Sequence, residues 1–269
     1  MLAIQMRCNA SRCLIAALAA VALCLPNVAA ADDEKPVLSI ATKSIEASIQ
    51  IDDTLKAYPG LYDNLLAEGR RGLAKWRLDA DKDRKATPEI FRDGRRYSHD
   101  RGYTQRSVIG RYVSVLRTDY FDGIGAHPNT VLNTILWDID AKKPVSIRPL
   151  FKETADNGPT LKRLTTAIRA ALAVIKRSQD IPVADPETDE SLAGVQPKLL
   201  EIGAIALAPS TETGKSAGML FYFSPYAVGP YVEGAFTAFV PWTTFKDDLS
   251  AQGAALFGGE RPQDDIKDD

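Results

Sequence analysis

One histidine of this chain lies close in sequence to two carboxylates. His127 follows Asp119 and Asp122 in a segment rich in turn-forming residues. An imidazole beside a carboxylate can act as a general acid or base, or can contact a ligand. The same ring could instead bond a backbone carbonyl and hold a tight turn between two strands. The sequence leaves both interpretations open.

A second group of candidate residues is aromatic. Phe221, Tyr222 and Phe223 are consecutive, and Tyr226 and Tyr231 follow among prolines and glycines. In a strand, alternation directs Phe221 and Phe223 to the same face, which we expect to be the core. Tyr226 and Tyr231 fall in the turn after the strand. There they could form a stacking platform for a carbohydrate, or they could simply stiffen the bend.

Other patterns that carry chemistry are incomplete. Asp79, Asp81 and Asp83 have the spacing of a calcium loop, but Arg84 and Ile90 stand where Gly and Glu are required. The sequence contains two histidines, which do not have metal-ligand spacing, and no nucleophile elbow. We therefore expect no metal and no cofactor, and catalysis is the less favoured hypothesis. The two catalytic carboxylates of a glycosidase have no fixed spacing in sequence, so the sequence leaves that hypothesis open.

One or two antiparallel β-sheets are expected to position these residues. The predicted strands are residues 45–51, 107–121, 129–139, 217–223 and 234–242. Predicted helices begin at Pro59 and cover 159–177 and 243–249, and charged or proline-rich loops cover 79–89, 122–128 and 180–197. This order predicts an α+β fold with an antiparallel meander, in which one or two helices pack on a face of a sheet.

The first 31 residues have the organisation of a secretory signal peptide. Arg7 and Arg12 precede an apolar run over residues 13–25, and cleavage is expected near Ala30 or Ala31. The run is too short to span a bilayer, which needs about 20 residues. All the cysteines of the chain fall in this segment: Cys8, Cys13 and Cys24. We therefore expect a periplasmic or secreted protein whose mature chain has no thiol and no disulfide.

The remainder of the sequence predicts a soluble protein. It has no later apolar run long enough for a transmembrane anchor. The formal charge of -2 argues against a nucleic-acid partner. Residues 70–106 hold twelve Lys or Arg against six acids, which we interpret as a solvated face, with binding of an anionic wall polymer as the alternative. We divide the chain into a signal peptide (1–31), two α+β modules (32–145 and 146–250) and an acidic flexible tail (251–269).

Two motifs resemble those of an uncharacterised bacterial envelope family. Residues 120–130 are similar to its Tyr-x-Gly-Gly-Ala-His turn, with Ile124 between the glycines, and residues 220–234 are similar to its aromatic strand followed by Tyr-x-x-x-Pro-Tyr-x-x-Gly. A Pro-x-x-x-Phe run follows at residues 241–245. The resemblance covers about residues 39–250. These residues resemble a tandem module that occurs in two kinds of protein. One is the RsiV-type anti-sigma factor, which senses lysozyme, and the other is the PdaC-type peptidoglycan deacetylase, where the module precedes the catalytic domain.

The resemblance implies recognition without catalysis. The anti-sigma factors add a membrane helix and a cytoplasmic segment, and the deacetylases add a metal-binding catalytic domain; neither is found in this sequence. We therefore predict an exported module that binds a lysozyme-like protein or a peptidoglycan-type glycan. The alternative is a cell-wall polysaccharide hydrolase that uses carboxylates near residues 119–127. The predicted binding residues are Tyr120, Asp122, Gly123, Gly125, His127, Tyr226 and Tyr231.

Overall fold

Two β-sheets and two long helices organise the protein. The computed structural model describes residues 35–266, and these belong to one compact unit. The first sheet has six strands in chain order: β1 (Leu38–Ala41), β2 (Ile45–Ile51), β3 (Tyr97–Ile109), β4 (Tyr112–Asp122), β5 (Asn129–Asp138) and β6 (Lys143–Pro144). The second has three: β7 (Ala204–Leu207), β8 (Gly218–Phe223) and β9 (Phe236–Pro241). The helices are α1 (Pro59–Ala86), α2 (Pro159–Ser178), α3 (Ala251–Leu256) and α4 (Gln263–Ile266). The predicted α+β class is confirmed.

The first sheet is not a simple meander. Strands β2 and β3 are parallel, with Ile45 opposite Tyr97, whereas the other neighbours are antiparallel. Parallel neighbours need a long crossover, and α1 provides it. The expectation of a purely antiparallel meander is therefore wrong at this pair.

Helix α1 is longer than the sequence suggested. The predicted loop over residues 79–89 is wrong, since the helix continues to Ala86. Its charges pair along the helix surface, with Lys75 Nζ 2.6 Å from Asp79 Oδ2, and such i,i+4 pairs stabilise an exposed helical face. On the opposite side Gly69 lies against β2. A Cβ there would be 3.0 Å from Ile49 Cγ2, so the missing side chain lets helix and sheet approach closely.

A hidden turn divides the predicted strand 107–121. Gly110 adopts φ +56°, and the chain reverses there so that Ile109 pairs with Tyr112 across a hairpin. β-Branched and aromatic residues continue on both sides of the glycine, which makes two strands resemble one. The single-strand prediction is therefore wrong.

Helix α2 packs against the second sheet, as predicted for residues 159–177. Its buried stripe is Leu161, Leu164, Ile168 and Leu172. Strands β5, β8 and β9 also lie where the alternation placed them. Strand β7 was not predicted, because four residues are too few to show a period. It joins the two sheets through buried hydrogen bonds: Ser107 Oγ donates to the Leu207 carbonyl (2.6 Å), and the Leu207 N–H donates to Ser114 Oγ (3.1 Å).

The C-terminal segment differs from the predicted flexible tail. Ser250 caps α3 by accepting a hydrogen bond from the Gly253 N–H at 3.2 Å. Leu256 and Phe257 are buried, and the Phe257 ring meets Phe245 edge-on. The predicted helix over 243–249 is replaced by two short 3-10 turns.

The predicted signal peptide, with Ala30 and Ala31, lies outside the described residues. Within residues 35–266, no helix combines the length and the apolar character needed to cross a membrane. The division into two modules stays a prediction.

Candidate functional site

The first loop of the candidate site connects β4 to β5. Asp122 Oδ1 accepts a hydrogen bond from the Ile124 N–H at 2.8 Å and so starts the turn. His127 Nδ1 lies 2.8 Å from the Pro128 carbonyl oxygen. Because a carbonyl can only accept, Nδ1 carries the proton and a neutral imidazole leaves Nε2 as an acceptor. The turn thereby fixes the orientation of the ring.

The second loop follows β8 and reaches the first one. Tyr226 directs its hydroxyl to His127 Nε2 at 3.0 Å, across 99 residues of sequence. The Tyr231 ring stacks on the imidazole with centroids 3.9 Å apart and planes 22° apart. The two tyrosine rings lie 5.5 Å apart. We call His127, Tyr226 and Tyr231 the aromatic cluster.

The aromatic cluster is open to solvent. Tyr226 is 58% exposed, His127 is exposed and Tyr231 is half-buried. Rings that pack against one another normally lie in a core, where burial stabilises each of them by a few kcal/mol. Here the rings present an amphipathic surface with hydroxyl and imidazole groups at its edge. Such a surface is suited to contact another molecule.

A buried ion pair supports the second loop from below. Lys176, at the end of α2, is fully buried, and its Nζ lies 2.6 Å from Glu233 Oε2. A Cβ at Gly229 would overlap both the Glu233 carboxylate and the Lys176 ammonium. The glycine therefore lets the loop close over the ion pair, two residues before Tyr231.

Each loop contains a strained residue that is not glycine. Ile124 has φ +58° and Tyr226 has φ +72°. Left-handed backbone is rare for β-branched and bulky side chains and costs roughly 1–3 kcal/mol, so it persists where the surroundings impose it. At Tyr226 the His127 bond and the ring contacts impose it. Strain of this kind is concentrated at functional sites.

The other predicted binding residues have separate roles. Asp122 caps the first turn. Gly123 lies under the Phe121 ring, where a Cβ would come within 2.8 Å of Cε1. Gly125 is exposed with open space around it. Tyr120 lies on β4 opposite Thr130 and makes no ring contact with the aromatic cluster among the described residues. The structure thus brings together three of the predicted residues.

Sequence reasoning missed a charged network on the face of the first sheet that α1 covers. Asp119 accepts from Arg101 Nε at 2.5 Å and pairs with Arg117 Nε at 3.1 Å. Glu68 of α1 pairs with Arg117 at 2.5 Å, and His99 Nε2 lies 3.6 Å from Asp119. Burial alone would raise the pKa of Asp119, but the adjacent His99 ring, the hydrogen bond from Arg101 and the charges of both arginines lower it. The alternation of Arg117 and Asp119 on one face of β4 was the available signal.

We expect this network to make stability depend on acid pH. A carboxyl whose folded pKa is below its usual value of 3.8 stabilises the fold fully above that pH, and the contribution is lost as pH falls through the folded pKa. Asp119→Asn should lower the free energy of unfolding by about 1–3 kcal/mol at pH 7 and flatten its decline below pH 4. Urea unfolding at pH 7 and pH 3 measures both effects. An equal decline in the variant and the wild type would contradict the role of Asp119.

No group of three or more His, Cys, Asp or Glu side chains in the described part of the chain is arranged to hold a metal ion. Asp79 and Asp81, which resemble part of a calcium loop, pair instead with Lys75 and Arg77 of the same helix.

The structure is that of an α+β protein with an exposed aromatic cluster built from two loops. Residues 150–243 match the model of a family described as a protein of unknown function (DUF3298). The matched segment contains the second loop and α2, whereas His127 lies outside it.

Two solved structures of DUF3298 family proteins are similar. One, from Bacteroides fragilis NCTC 9343, is 14% identical with a TM-score of 0.53, over 81% of this chain and 93% of that chain. The other, from Pseudomonas aeruginosa PAO1, is 15% identical with a TM-score of 0.48, over 80% and 88%. At such identity the first likeness concerns the fold alone. No curated protein matches this chain.

Proposed function

We propose that this protein is an exported, non-catalytic recognition module of the cell envelope, and that its aromatic cluster binds a sugar ring of a peptidoglycan-type glycan. One observation carries the proposal. Two loop motifs far apart in sequence meet in an exposed group of stacked rings, where His127 and Tyr226 are 99 positions apart. Export rests on the signal peptide expected in residues 1–31. The envelope setting rests on the resemblance to the RsiV-type and PdaC-type modules.

The chemistry of the rings favours a carbohydrate. A pyranose has an apolar C–H face and a polar rim, and the faces and hydroxyls of Tyr226 and Tyr231 complement both. The site is also held in place before a ligand arrives. His127 is fixed by Pro128 and Tyr226, and the second loop is fixed by Lys176. Preorganisation of this kind reduces the entropy lost on binding.

The carboxylates near the first turn are occupied elsewhere, which disfavours the hydrolase alternative. Asp119 is held by Arg101 and Arg117, and its lowered pKa is the opposite of what a general acid requires. Asp122 accepts a backbone hydrogen bond within its own turn. Hydrolysis by either residue would require these contacts to open. Release of reducing ends from sacculi, lost in Asp122→Asn, would favour hydrolysis over binding.

We expect the mature chain to sediment with purified peptidoglycan sacculi. Tyr226→Ala and Tyr231→Ala should each weaken this binding roughly tenfold, since an aromatic contact contributes about 0.5–1.5 kcal/mol beyond the area that it buries. Tyr226→Phe keeps the ring but loses the bond to His127, and it should have a smaller effect. Leu78→Ala is the matched control, because Leu78 is 70% exposed on α1.

Two results would contradict the glycan proposal. The first is absence of sedimentation with sacculi at any salt concentration. The second is equal binding by the wild type and both alanine variants. Tight binding to lysozyme in solution, lost in Tyr226→Ala and without any binding to sacculi, would favour the protein partner instead. Titration calorimetry with lysozyme separates these outcomes.

A further inference from the structure

Strand β5 is an open edge of the first sheet over most of its length. Its outer neighbour, β6, pairs only with Trp137 and Asp138. Residues 129–136 therefore have β4 on one side and no strand on the other. The pairing with β4 is regular, because the register shift of this sheet lies between β3 and β4. A straight run of edge backbone is thus available.

The direction of the edge groups follows from two hydrogen bonds. The Leu132 N–H donates to Ser224 Oγ at 2.9 Å, and the Leu136 carbonyl accepts from the Val145 N–H at 2.8 Å. Even-numbered residues of β5 therefore point their backbone away from β4. Between these two bonds lie the Leu132 carbonyl, both backbone groups of Thr134 and the Leu136 N–H. These four groups have no protein partner among the described residues.

The edge lacks the usual protection against pairing. Natural edge strands carry charges, prolines or bulges, or are very short. Residues 129–136 read Asn-Thr-Val-Leu-Asn-Thr-Ile-Leu, with no charge and no proline. The opposite edge, β1, is only four residues long. An open, uncharged edge is the feature that proteins use to add a strand from another chain.

A groove of about 530 Å³ runs along this edge. One wall is β5, with Leu132, Thr134 and Leu136. The other comes from the second sheet and the loop before it, and it includes Ile205, Phe223 and Leu200. Leu200 is 96% exposed, although it is a large apolar side chain at the border of this groove. None of the rings of the aromatic cluster lines the groove, so the groove is separate from the proposed glycan site.

We propose that this groove binds an extended peptide segment of a partner protein, which adds a strand to β5. In an antiparallel arrangement, a central residue of the peptide exchanges two hydrogen bonds with Thr134. The residues two before and two after it bond to the Leu136 N–H and the Leu132 carbonyl. The segment therefore spans five residues. Side chains opposite one another lie on the same face, so alternate apolar side chains of the peptide face the second sheet.

The groove favours one strand over a second copy of this protein. A wall from the second sheet stands along the edge. A second copy would bring an equal wall beside its own β5 edge, whereas a lone peptide brings none. A single peptide strand fits between the walls. Glu201 is the charged residue of the lining, and it is already paired with Lys198 Nζ at 3.1 Å. Recognition of the peptide therefore rests on the open backbone groups of β5 and on the apolar side chains beside them.

The test uses a synthetic probe, acetyl-Lys-Val-Thr-Val-Thr-Val-Lys-amide, with the full mature chain. We expect saturable binding with a Kd on the order of 10–100 µM. N-methylation of the central valine removes an N–H that faces β5 and should abolish binding. N-methylation of a neighbouring threonine, whose N–H faces away, should change the Kd less than threefold. This alternation is specific for strand addition.

Two further measurements locate the peptide on the protein. Amide exchange of Thr134 and Leu136 should slow at least tenfold in the complex, while Leu132, already bonded to Ser224, should not change. Leu200→Ala should weaken binding three- to tenfold, whereas Leu78→Ala and Tyr226→Ala should leave it unchanged. Loss of peptide binding in Tyr226→Ala would overturn the separation from the glycan site.

Other results would overturn the proposal. These are no saturation up to 1 mM peptide, equal damage from both N-methyl groups, or no protection of Thr134 and Leu136. A concentration-dependent dimer that the peptide dissociates, seen by analytical ultracentrifugation, would assign the edge to a second copy. Binding by the mature chain but not by the chain that retains residues 1–31 would assign it to this protein's own N-terminal segment.

Discussion

Lys176→Met is expected to lower the free energy of unfolding by about 3–5 kcal/mol. The Lys176 ammonium is fully buried, lies 2.6 Å from Glu233 Oε2 and is 5.1 Å from the centre of the Phe236 ring. Methionine keeps most of the apolar stem but removes the charge. Glu233 is then left largely buried without a cation, and an unpaired buried charge is more costly than the absence of the pair.

Urea unfolding of the variant, followed by circular dichroism, measures this loss. The double variant Lys176→Met with Glu233→Gln should recover at least half of the loss, because no unpaired charge remains. Lys162→Met is the matched control, since Lys162 is exposed on the same helix; its effect should stay within about 0.5 kcal/mol. If the double variant were as unstable as Lys176→Met, the ion pair would not be the cause.

The same substitution should also impair the candidate site. Tyr231 lies two residues from Glu233, and both belong to one 3-10 turn. Loss of the ion pair should therefore release the loop and weaken binding to sacculi at temperatures where the protein is still folded. Tyr231→Ala should weaken binding to sacculi directly, and Lys176→Met should weaken it indirectly. The two variants can be distinguished by their stability, because only Lys176→Met should strongly lower the free energy of unfolding.

Phe221→Ala is expected to destabilise the fold by about 3–5 kcal/mol. The Phe221 ring has no exposed surface and belongs to the core between the second sheet and α2. Alanine would leave a cavity that a sheet bonded to its neighbours on both sides cannot close. A loss of 1 kcal/mol lowers Tm by about 2–4 °C in a protein of this size. We therefore expect Tm to fall by roughly 6–20 °C.

Phe121→Ala is the control that tests whether burial of the ring causes the loss of stability in Phe221→Ala. Phe121 is 39% exposed on the first sheet, so its loss should cost about 1 kcal/mol. Thermal unfolding of the two variants should differ clearly. Similar Tm values would mean that the position of Phe221 in the core has been misassigned.

Elements with a strong period were predictable. The apolar stripe of α2 and the alternation of β2 reflect a choice between core and solvent at each residue, which local sequence records. The prediction that Phe221 and Phe223 face the core is confirmed, since both join the residues packed against α2. Tyr222, on the other face, is also buried and packs among the residues between the two sheets. Because β8 is covered on both faces, its successive side chains alternate between two sets of buried neighbours. They do not alternate between apolar and polar residue types.

Errors arose where local signals conflict with the assembled fold. The continuation of α1 to Ala86 was missed because an exposed, salt-bridged helical face has the composition of a loop. The parallel pairing of β2 and β3 was missed because strand direction depends on the crossover and not on the strands. The turn at Gly110 was missed because the residues around it all favour strand.

The sequence by itself predicted an export segment, recorded the periods of the helices and strands, and contained the residues of the two loop motifs. These are properties of local residue order. Only the tertiary structure decided that His127 meets Tyr226 and Tyr231, that Asp119 is neutralised by two arginines and that β5 has an open edge. Each of these depends on contacts between residues far apart in the chain. Such contacts follow from how sheets and helices pack, and a single sequence records no trace of that packing.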